Sequence, residues 1–169
     1  LNRQRVVMVN LADLIGNACA GKFDYEMEAA LERAFAGAGA APLSPEAVAA
    51  WRAGVEIEGA GFAYARDPNG KQAAPDFLLA VGRKIVELEL KSSRTGRIPV
   101  WNSGWPRRGR VYVLNLPAHA PDRPVAVVTG AALVTAEEEA ALDSLARCAE
   151  FARLSEWANA QLGAAIHEG

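Results

Sequence analysis

The chain has 169 residues, 51% of them hydrophobic and 22% charged, which predicts one globular domain rather than a disordered chain or a membrane protein. Eighteen Lys and Arg residues against twenty Asp and Glu residues give a net charge of −2, so the total gives no indication of a polyanionic partner. Two cysteines and two histidines exclude a disulfide framework and a His-rich metal site, so carboxylates and basic residues must carry any chemistry. We expect a cytoplasmic protein with no membrane partner, because no apolar run reaches ~18 residues and no signal-peptide pattern is present.

The N-terminal part of the chain has the spacing of two amphipathic helices. We expect Asn10 to cap the first helix and Gly21 to end it, and Gly37 and Gly39 to close the second. The apolar stripe of the first helix is Leu11, Leu14, Ile15, Ala18 and Cys19, and that of the second is Met27, Ala30, Leu31, Ala34 and Phe35.

A short third helix is predicted from three consecutive residues. Ser44 is a favoured N-cap, Pro45 suits the first helical position, and Glu46 is stabilised by the helix dipole. Gly54 is expected to end this helix.

From residue 55 the hydrophobic period changes to two, which predicts a sheet. A strand or irregular hairpin is predicted over Val55, Ile57, Phe62 and Tyr64, before a turn at residues 67–70. Four further short strands, rich in β-branched residues and bounded by Gly, Pro or Asn, are predicted at 77–81, 85–90, 111–114 and 125–128.

Thr135 and Glu138 form a capping box that predicts the start of a long amphipathic helix running towards Gly163. Its apolar positions are Leu142, Leu145, Ala149 and Ala152. The order of elements predicts an α/β or α+β domain over residues 1–169, and we expect the α/β class, with a central mixed β-sheet flanked by helices. Its parts are a helical region at 1–54, a sheet region at 55–130 and a closing helix at 135–163.

The segment from Pro75 to Lys91 predicts a β-hairpin that brings two carboxylates together. Gly82 and Arg83 suit a two-residue type II′ turn, so the numbers of paired residues sum to 165 and Asp76 faces Glu89. Alternation along the second strand separates two sets of residues. Glu87, Glu89 and Lys91 share the face of Asp76, whereas Val86, Leu88 and Leu90 point into the core.

Two acids held ~5 Å apart at Cβ repel each other, and a hard divalent cation reverses that repulsion by taking oxygen ligands from both. Lys91 beside them would bind a scissile phosphate or orient the attacking water, which is phosphodiester chemistry. The alternative is that Glu87, Glu89 and Lys91 form the solvated face of an amphipathic hairpin.

The order of these residues resembles the Pro-Asp…(Asp/Glu)-x-Lys signature of the restriction-endonuclease-like, or PD-(D/E)xK, nuclease superfamily. Pro75-Asp76 is followed after twelve residues by Glu89-Leu90-Lys91, and the Lys-Ser-Ser continuation is common in type II restriction enzymes. The resemblance covers about residues 20–116. It implies a restriction-endonuclease-like fold, Mg²⁺ held by Asp76 and Glu89, and a catalytic role for Lys91.

The same resemblance implies a further acid near the metal on an N-terminal helix, and Met27-Glu28-Ala29-Ala30-Leu31 is similar to the family's pattern. At 100° per residue Glu28 lies about 60° from Leu31, at the edge of the inward face, whereas Glu26 points about 140° away. We therefore assign the catalytic role that the resemblance implies to Glu28. Glu26, Asp24 and a purely solvated acid remain alternatives.

Residues 91–110 contain six basic residues and no acid, so this window carries a charge of +6 within a chain of −2. Arginine suits phosphates and guanine edges, and the interleaved Trp101-Asn102-Ser103-Gly104-Trp105 segment is similar to segments of several type II restriction enzymes. A solvated basic loop anchored by tryptophan is the alternative, which we favour for Trp101. The candidate DNA contacts are Arg94, Arg97, Asn102, Ser103, Trp105, Arg107, Arg108 and Arg110.

Residues Gly16 to Lys22 satisfy the first part of a P-loop, but Phe23 replaces the Ser or Thr that holds Mg²⁺. The segment also falls on and just after a predicted helix rather than between a strand and a helix. We therefore expect no nucleotide cofactor.

Together the residues and the resemblance predict a Mg²⁺-dependent type II restriction endonuclease that cleaves double-stranded DNA at a short, palindromic site. A homodimer is expected, because cutting both strands in one encounter requires two active sites with the symmetry of the duplex. The long C-terminal helix and the N-terminal helix pair are candidate interfaces. The alternatives are a structure-specific repair or junction-resolving nuclease and a non-catalytic nucleic-acid- or protein-binding module.

Overall fold

The structure is a computed structural model that describes residues 3–55, 61–71, 73–95, 105–118, 121–122 and 124–167. Its first helices are α1 (Arg3–Cys19) and α2 (Tyr25–Gly37), followed by the short helix α3 (Pro45–Arg52). The prediction that Asn10 caps the first helix was wrong. Helix α1 begins at Arg3, because the Arg, Gln, Val and Met residues before Asn10 are all compatible with a helix.

The predicted ends of these helices are confirmed. Gly21 and Gly39 both have positive φ, of 69° and 84°, which a residue without Cβ adopts easily after a helix. The Ser44 Oγ accepts a hydrogen bond from the Ala47 N–H at 3.2 Å, so the N-cap of α3 forms as expected.

Within the described residues six strands form one mixed sheet in chain order, β1-β2-β3-β4-β5-β6. The pairs β1·β2 and β4·β5 are parallel, and the other three pairs are antiparallel. This arrangement confirms a mixed sheet flanked by helices. The strands are β1 (Ala41–Pro42), β2 (Phe62–Arg66), β3 (Phe77–Val81), β4 (Lys84–Ser92), β5 (Val111–Asn115) and β6 (Val125–Thr129).

The sheet differs from the prediction at its first edge. Strand β1 lies inside the region predicted to be helical only, and two residues are too few to show a period of two. The turn at residues 67–70 is confirmed by a hydrogen bond of 2.9 Å from the Gly70 N–H to the Asp67 carbonyl. Ile57 lies outside the described residues.

The core lies between α1, α2 and one face of the sheet. Phe35 of α2 is fully buried and packs edge-on against Phe77 of β3, with ring centroids 5.7 Å apart. Leu88 of β4 is also fully buried, and its neighbours Val86 and Leu90 pack against the same cluster. The predicted inward set of the hairpin is therefore confirmed.

Helix α4 (Ala136–His167) begins after a short 3₁₀ turn, and the capping box at its start is confirmed. The Glu138 N–H donates to the Thr135 Oγ1 at 3.1 Å, and the Thr135 N–H donates to the Glu138 carboxylate at 2.8 Å. The described positions of the predicted apolar stripe lie outside the buried core, since Leu142 is half-buried, Leu145 is 63% exposed and Ala149 is exposed. No helix in the described part of the chain is long and apolar enough to span a membrane.

Candidate active site

Asp76 directly precedes β3 and places its carboxylate at the end of the β3·β4 ladder. The predicted register is confirmed over five pairs, from Phe77 with Leu88 to Val81 with Lys84. Asp76 and Glu89 are the next residues on the two chain segments, one position beyond the last pair of the ladder. Beyond the ladder the Asp76 carboxylate accepts a hydrogen bond from the Leu90 N–H at 2.6 Å. Gly82, at the turn, has a φ of 62°, as the first position of the predicted turn requires.

Strand β4 continues past this point and carries Glu89 and Lys91, which lie on the face opposite the core residue Leu88. Their side chains form an ion pair, with Lys91 Nζ 2.9 Å from the Glu89 carboxylate. Glu89 is only 2% exposed and Lys91 8% exposed. The alternative of a solvated hairpin face is therefore wrong for these two residues.

The surroundings of Asp76 disfavour its charged form. Burial raises the pKa of Asp76 from the ordinary 3.8 to about 6, although the Leu90 N–H and the Lys91 ammonium act in the opposite direction. Negative charge on Glu89 and Glu28 contributes to the increase. A carboxyl that is hard to ionise beside another acid is a common property of sites that bind cations or transfer protons.

Glu28 lies on α2, and its negative charge makes a small contribution to the raised pKa of Asp76. A catalytic role for Glu28 stays a prediction. The Glu28 carboxylate is held by Arg66, the last residue of β2. Arg66 also lies 3.3 Å from a Glu32 carboxylate oxygen and 3.6 Å from one of Asp67.

Arg66 was not predicted as a site residue, since no sequence pattern around an arginine at the end of a short strand indicates its partners. Its partners on α2 lie more than thirty residues earlier in the chain, and only the packing of α2 against β2 brings them together. Burial opposes the charge of Arg66, but Glu28, Glu32 and Asp67 outweigh that effect and raise its pKa.

The other two helix acids lie at the start of α2. Asp24 accepts a hydrogen bond from the Ser92 hydroxyl at 2.7 Å, which ties the helix to the end of β4. Glu26 lies 4.0 Å from Arg94 and accepts the Phe23 N–H at 3.4 Å. Both therefore have contacts of their own around the helix start.

The basic residues that precede β5 are engaged within the protein. The Arg107 guanidinium pairs with Asp143 of α4, and Arg110 donates to Glu87 of β4 at 2.7 Å. Arg108 donates to the Val134 carbonyl at 3.0 Å, and its backbone N–H donates to Glu139. These contacts join the segment at 105–110 to β4 and α4, and contact with DNA stays a prediction for these residues.

Two other candidate DNA contacts are exposed. Arg94 is 65% exposed at its side chain, and its guanidinium lies 4.6 Å from the centre of the Phe23 ring. Trp105 is 49% exposed. Arg97, Asn102 and Ser103 lie outside the described residues, as does Trp101.

The donor set suits Mg²⁺ better than a cation that needs a complete protein cage. No cluster of three or more His, Cys, Asp or Glu side chains suited to a metal ion occurs in the described ranges. Asp76 and Glu89 offer two carboxylates, and Mg²⁺ usually takes one or two carboxylates and completes its octahedron with water and substrate phosphate. Two carboxylates would therefore be compatible with a Mg²⁺ ion whose other ligands come from water and phosphate.

Comparisons with family models, curated proteins and solved structures found no match to this chain.

Proposed function

We propose that this protein is a Mg²⁺-dependent endonuclease that hydrolyses phosphodiester bonds in double-stranded DNA, of the type II restriction-endonuclease kind. The observation that carries the proposal is the burial of the Glu89–Lys91 pair beside Asp76, whose pKa is raised to about 6. The spacing of these three residues resembles the PD-(D/E)xK signature.

The burial argues for function because charges in a protein interior are costly. Removing an ion pair from water costs several kcal/mol per ion, and apolar residues of similar size often give a fold of equal or greater stability. Burial is the main cause of the raised pKa of Asp76 beside this pair, and repulsion from the Glu89 carboxylate adds to it. A divalent cation would offset this repulsion, so the cluster suits a cation-binding site better than a structural ion pair.

Asp76 and Glu89 would hold the Mg²⁺ ion, which supplies Lewis-acid stabilisation of the phosphate and acidifies a bound water. The Leu90 N–H fixes one oxygen of the Asp76 carboxylate, so this ligand is oriented before any cation arrives. Lys91 is held by Glu89 at 2.9 Å, where its ammonium would orient the attacking water and stabilise charge on the phosphate as the new P–O bond forms. No covalent enzyme intermediate is needed.

DNA would approach along the segment that follows β4. Arg94 is the described arginine that combines high exposure with proximity to the site, since it lies three residues beyond Lys91. The sequence between Arg97 and Trp105 interleaves amide, hydroxyl and indole groups, which suits base readout better than a purely electrostatic groove. Recognition of a short palindromic sequence by a homodimer belongs to the same proposal.

The test incubates the purified protein with plasmid and phage DNA, in Mg²⁺ and separately in EDTA. Discrete fragments that need Mg²⁺ are expected, and Asp76→Asn, Glu89→Gln and Lys91→Ala should each reduce cleavage at least about a hundredfold. Lys84→Ala is the matched control, because Lys84 lies on the same strand but is exposed at the turn.

Non-specific degradation or cleavage of branched DNA alone would replace sequence recognition with a structure-specific activity. Intact DNA across all substrates would overturn the nuclease proposal and leave a binding module. If the variants at Asp76 and Lys91 cleaved at the wild-type rate, the site assignment would be wrong even with the activity present.

A further inference from the structure

The exposed guanidinium of Arg94 lies over an aromatic ring. Its Cζ is 4.6 Å from the centre of the Phe23 ring, which belongs to the connection between α1 and α2. The Arg94 side chain is 65% exposed, whereas Phe23 is half-buried. Stacking engages the flat face of a guanidinium, and the N–H donors lie in its plane. The ring therefore restricts the orientation of Arg94 without using its hydrogen-bond donors.

The segment that carries Phe23 is fixed to the sheet on both sides of the ring. Asp24 exchanges two hydrogen bonds with Ser92, the last residue of β4. The Ser92 hydroxyl donates to the Asp24 carboxylate at 2.7 Å and accepts the Asp24 N–H at 3.3 Å. Asn115, the fully buried last residue of β5, donates from its side-chain amide to the Cys19 carbonyl at 3.2 Å. The ring is therefore held in place relative to β4, the strand that ends beside the candidate active site.

A carboxylate also lies near Arg94, but this contact is loose. The Glu26 carboxylate is 4.0 Å from the guanidinium, which is beyond hydrogen-bond distance, and its side chain is 46% exposed. Exposed ion pairs of this kind contribute little and are screened by salt. An incoming phosphate can therefore replace Glu26 while Arg94 stays stacked on Phe23.

We propose that Phe23 is a positioning residue of the DNA interface, which holds Arg94 so that its N–H groups bind a backbone phosphate of the duplex. This inference rests on the DNA-binding function proposed above. Arg94 follows Lys91 by three residues, which span about 10 Å of chain at most, so the bound phosphate lies close to the scissile one. Contacts to phosphates fix the duplex relative to the protein and carry no sequence information.

The ring assists binding by restricting Arg94 in advance. A surface arginine loses rotamer freedom when it binds a ligand, and one that is already stacked has less freedom to lose. Removing the Phe23 ring should therefore weaken DNA binding and leave the number of phosphate contacts unchanged. Removing the Arg94 charge should weaken binding and also remove one phosphate contact. The salt dependence of the affinity distinguishes these two effects, because it reports the number of phosphates that the protein neutralises.

The test measures binding of a fluorescently labelled duplex of about 30 base pairs and arbitrary sequence by anisotropy, in EDTA and over a range of NaCl concentrations. For each bound subunit, Arg94→Gln should weaken the affinity about tenfold and reduce the slope of log affinity against log salt by about 0.9. Phe23→Leu should weaken the affinity about threefold with the slope unchanged. Arg83→Gln, at the exposed turn of the hairpin, is the control for loss of one positive charge and should change neither quantity.

A double-mutant cycle separates positioning of Arg94 from a general effect on the fold. In the Arg94→Gln background, Phe23→Leu should have no further effect, and Phe23→Tyr, which keeps the ring, should bind like the wild type. Tyr25→Leu is the matched control, because Tyr25 is an aromatic residue at the start of α2 that is 73% exposed. It should leave the affinity unchanged. Phe23→Met gives the same test if Phe23→Leu does not fold.

Two results would overturn the positioning role and leave DNA binding standing. One is wild-type affinity of Phe23→Leu, and the other is an equal loss from Phe23→Leu with and without Arg94. An unchanged salt slope in Arg94→Gln would overturn the phosphate contact on which the role depends. Absence of duplex binding by the wild-type protein would overturn the DNA-binding function together with this inference.

Discussion

The carboxylate cluster of Asp76, Glu89 and Lys91 and the basic segment at 105–110 are both rich in charge, but they balance it differently. In the cluster, Glu89 and Lys91 are almost completely buried, and the pKa of Asp76 is raised to about 6. In the basic segment, Arg107 and its partner Asp143 keep 41% and 34% of their side-chain surface exposed. The carboxylate cluster therefore holds charges in the interior, where removing them from water costs free energy. The basic segment holds its charges at the surface, where that cost is small.

The comparison shows that the summed charge of a sequence window does not give the charge that remains unneutralised after folding. The window at 91–110 sums to +6 in sequence, but the fold brings acids from β4 and α4 to the arginines that precede β5. The cluster has few charges but holds them in the interior, where burial raises the pKa of Asp76 and encloses the Glu89–Lys91 ion pair. Function is better sought where the fold buries charged side chains than where the sequence concentrates them.

The largest expected effect on stability comes from Lys91. Lys91→Met should reduce the free energy of unfolding by about 3–5 kcal/mol, since Glu89 then loses the ammonium 2.9 Å away while staying buried. Urea unfolding at pH 7.5, followed by circular dichroism, measures this loss. The double variant Glu89→Gln with Lys91→Met should recover much of it, because neither charge remains.

Lys84→Met is the control, as it removes a lysine from the exposed start of the same strand. We expect that control to change stability by less than about 0.5 kcal/mol. A loss below about 1 kcal/mol for Lys91→Met would mean that the buried pair is solvated in solution, and the contrast between the two regions would disappear.

Asp76 should give the next largest effect, and here the variant is more stable than the wild type. Because the folded pKa lies above the ordinary value, the folded chain binds the proton more tightly than the unfolded chain does. The stability contributed by this group is fully present below pH 3.8 and is lost as the pH rises to about 6. Asp76→Asn, which keeps an acceptor for the Leu90 N–H, should therefore be more stable by roughly 2–3 kcal/mol at pH 7 without divalent cations.

Unfolding curves between pH 4 and pH 8 test this sign, with Asp13→Asn, at an exposed position of α1, as the control. Addition of Mg²⁺ at pH 7.5 should stabilise the wild type and have little effect on Asp76→Asn. Equal stabilities of the wild type and Asp76→Asn at pH 7 would show that Asp76 is not under electrostatic strain in the folded protein.

Local rules predicted the hairpin and the helix caps at Ser44 and Thr135, but the cap at Asn10 was wrong and α4 continues past Gly163 to His167. A two-residue turn with Gly82 at its first position fixes the pairing of every residue on either side, so the register and the neighbouring positions of Asp76 and Glu89 followed from counting. The helix caps at Ser44 and Thr135 were also predictable from the local sequence, because each capping hydrogen bond joins residues three positions apart.

Contacts between distant parts of the chain were not predictable in the same way. The burial of Glu89 and Lys91 depends on how neighbouring elements cover that face of the sheet, and alternation along one strand carries no such information. Arg66 meets Glu28 only because α2 packs against β2. The ion pairs of Arg107 and Arg110 likewise required knowledge of where α4 and β4 lie.

The smallest expected effect is that of the Arg107–Asp143 ion pair of the basic segment. It tests whether the charges of this segment are exposed to solvent. Arg107→Ala and Asp143→Ala form a double-mutant cycle across a half-exposed ion pair, and the coupling energy should be about 0.2–1 kcal/mol. Urea unfolding in low salt and in 1 M NaCl measures it, and salt should reduce the coupling because both groups contact solvent. A salt-insensitive coupling above 2 kcal/mol would show that this pair is as firmly shielded as Glu89 and Lys91. In that case Arg107 would be a fixed structural residue and would be withdrawn from the candidate DNA contacts.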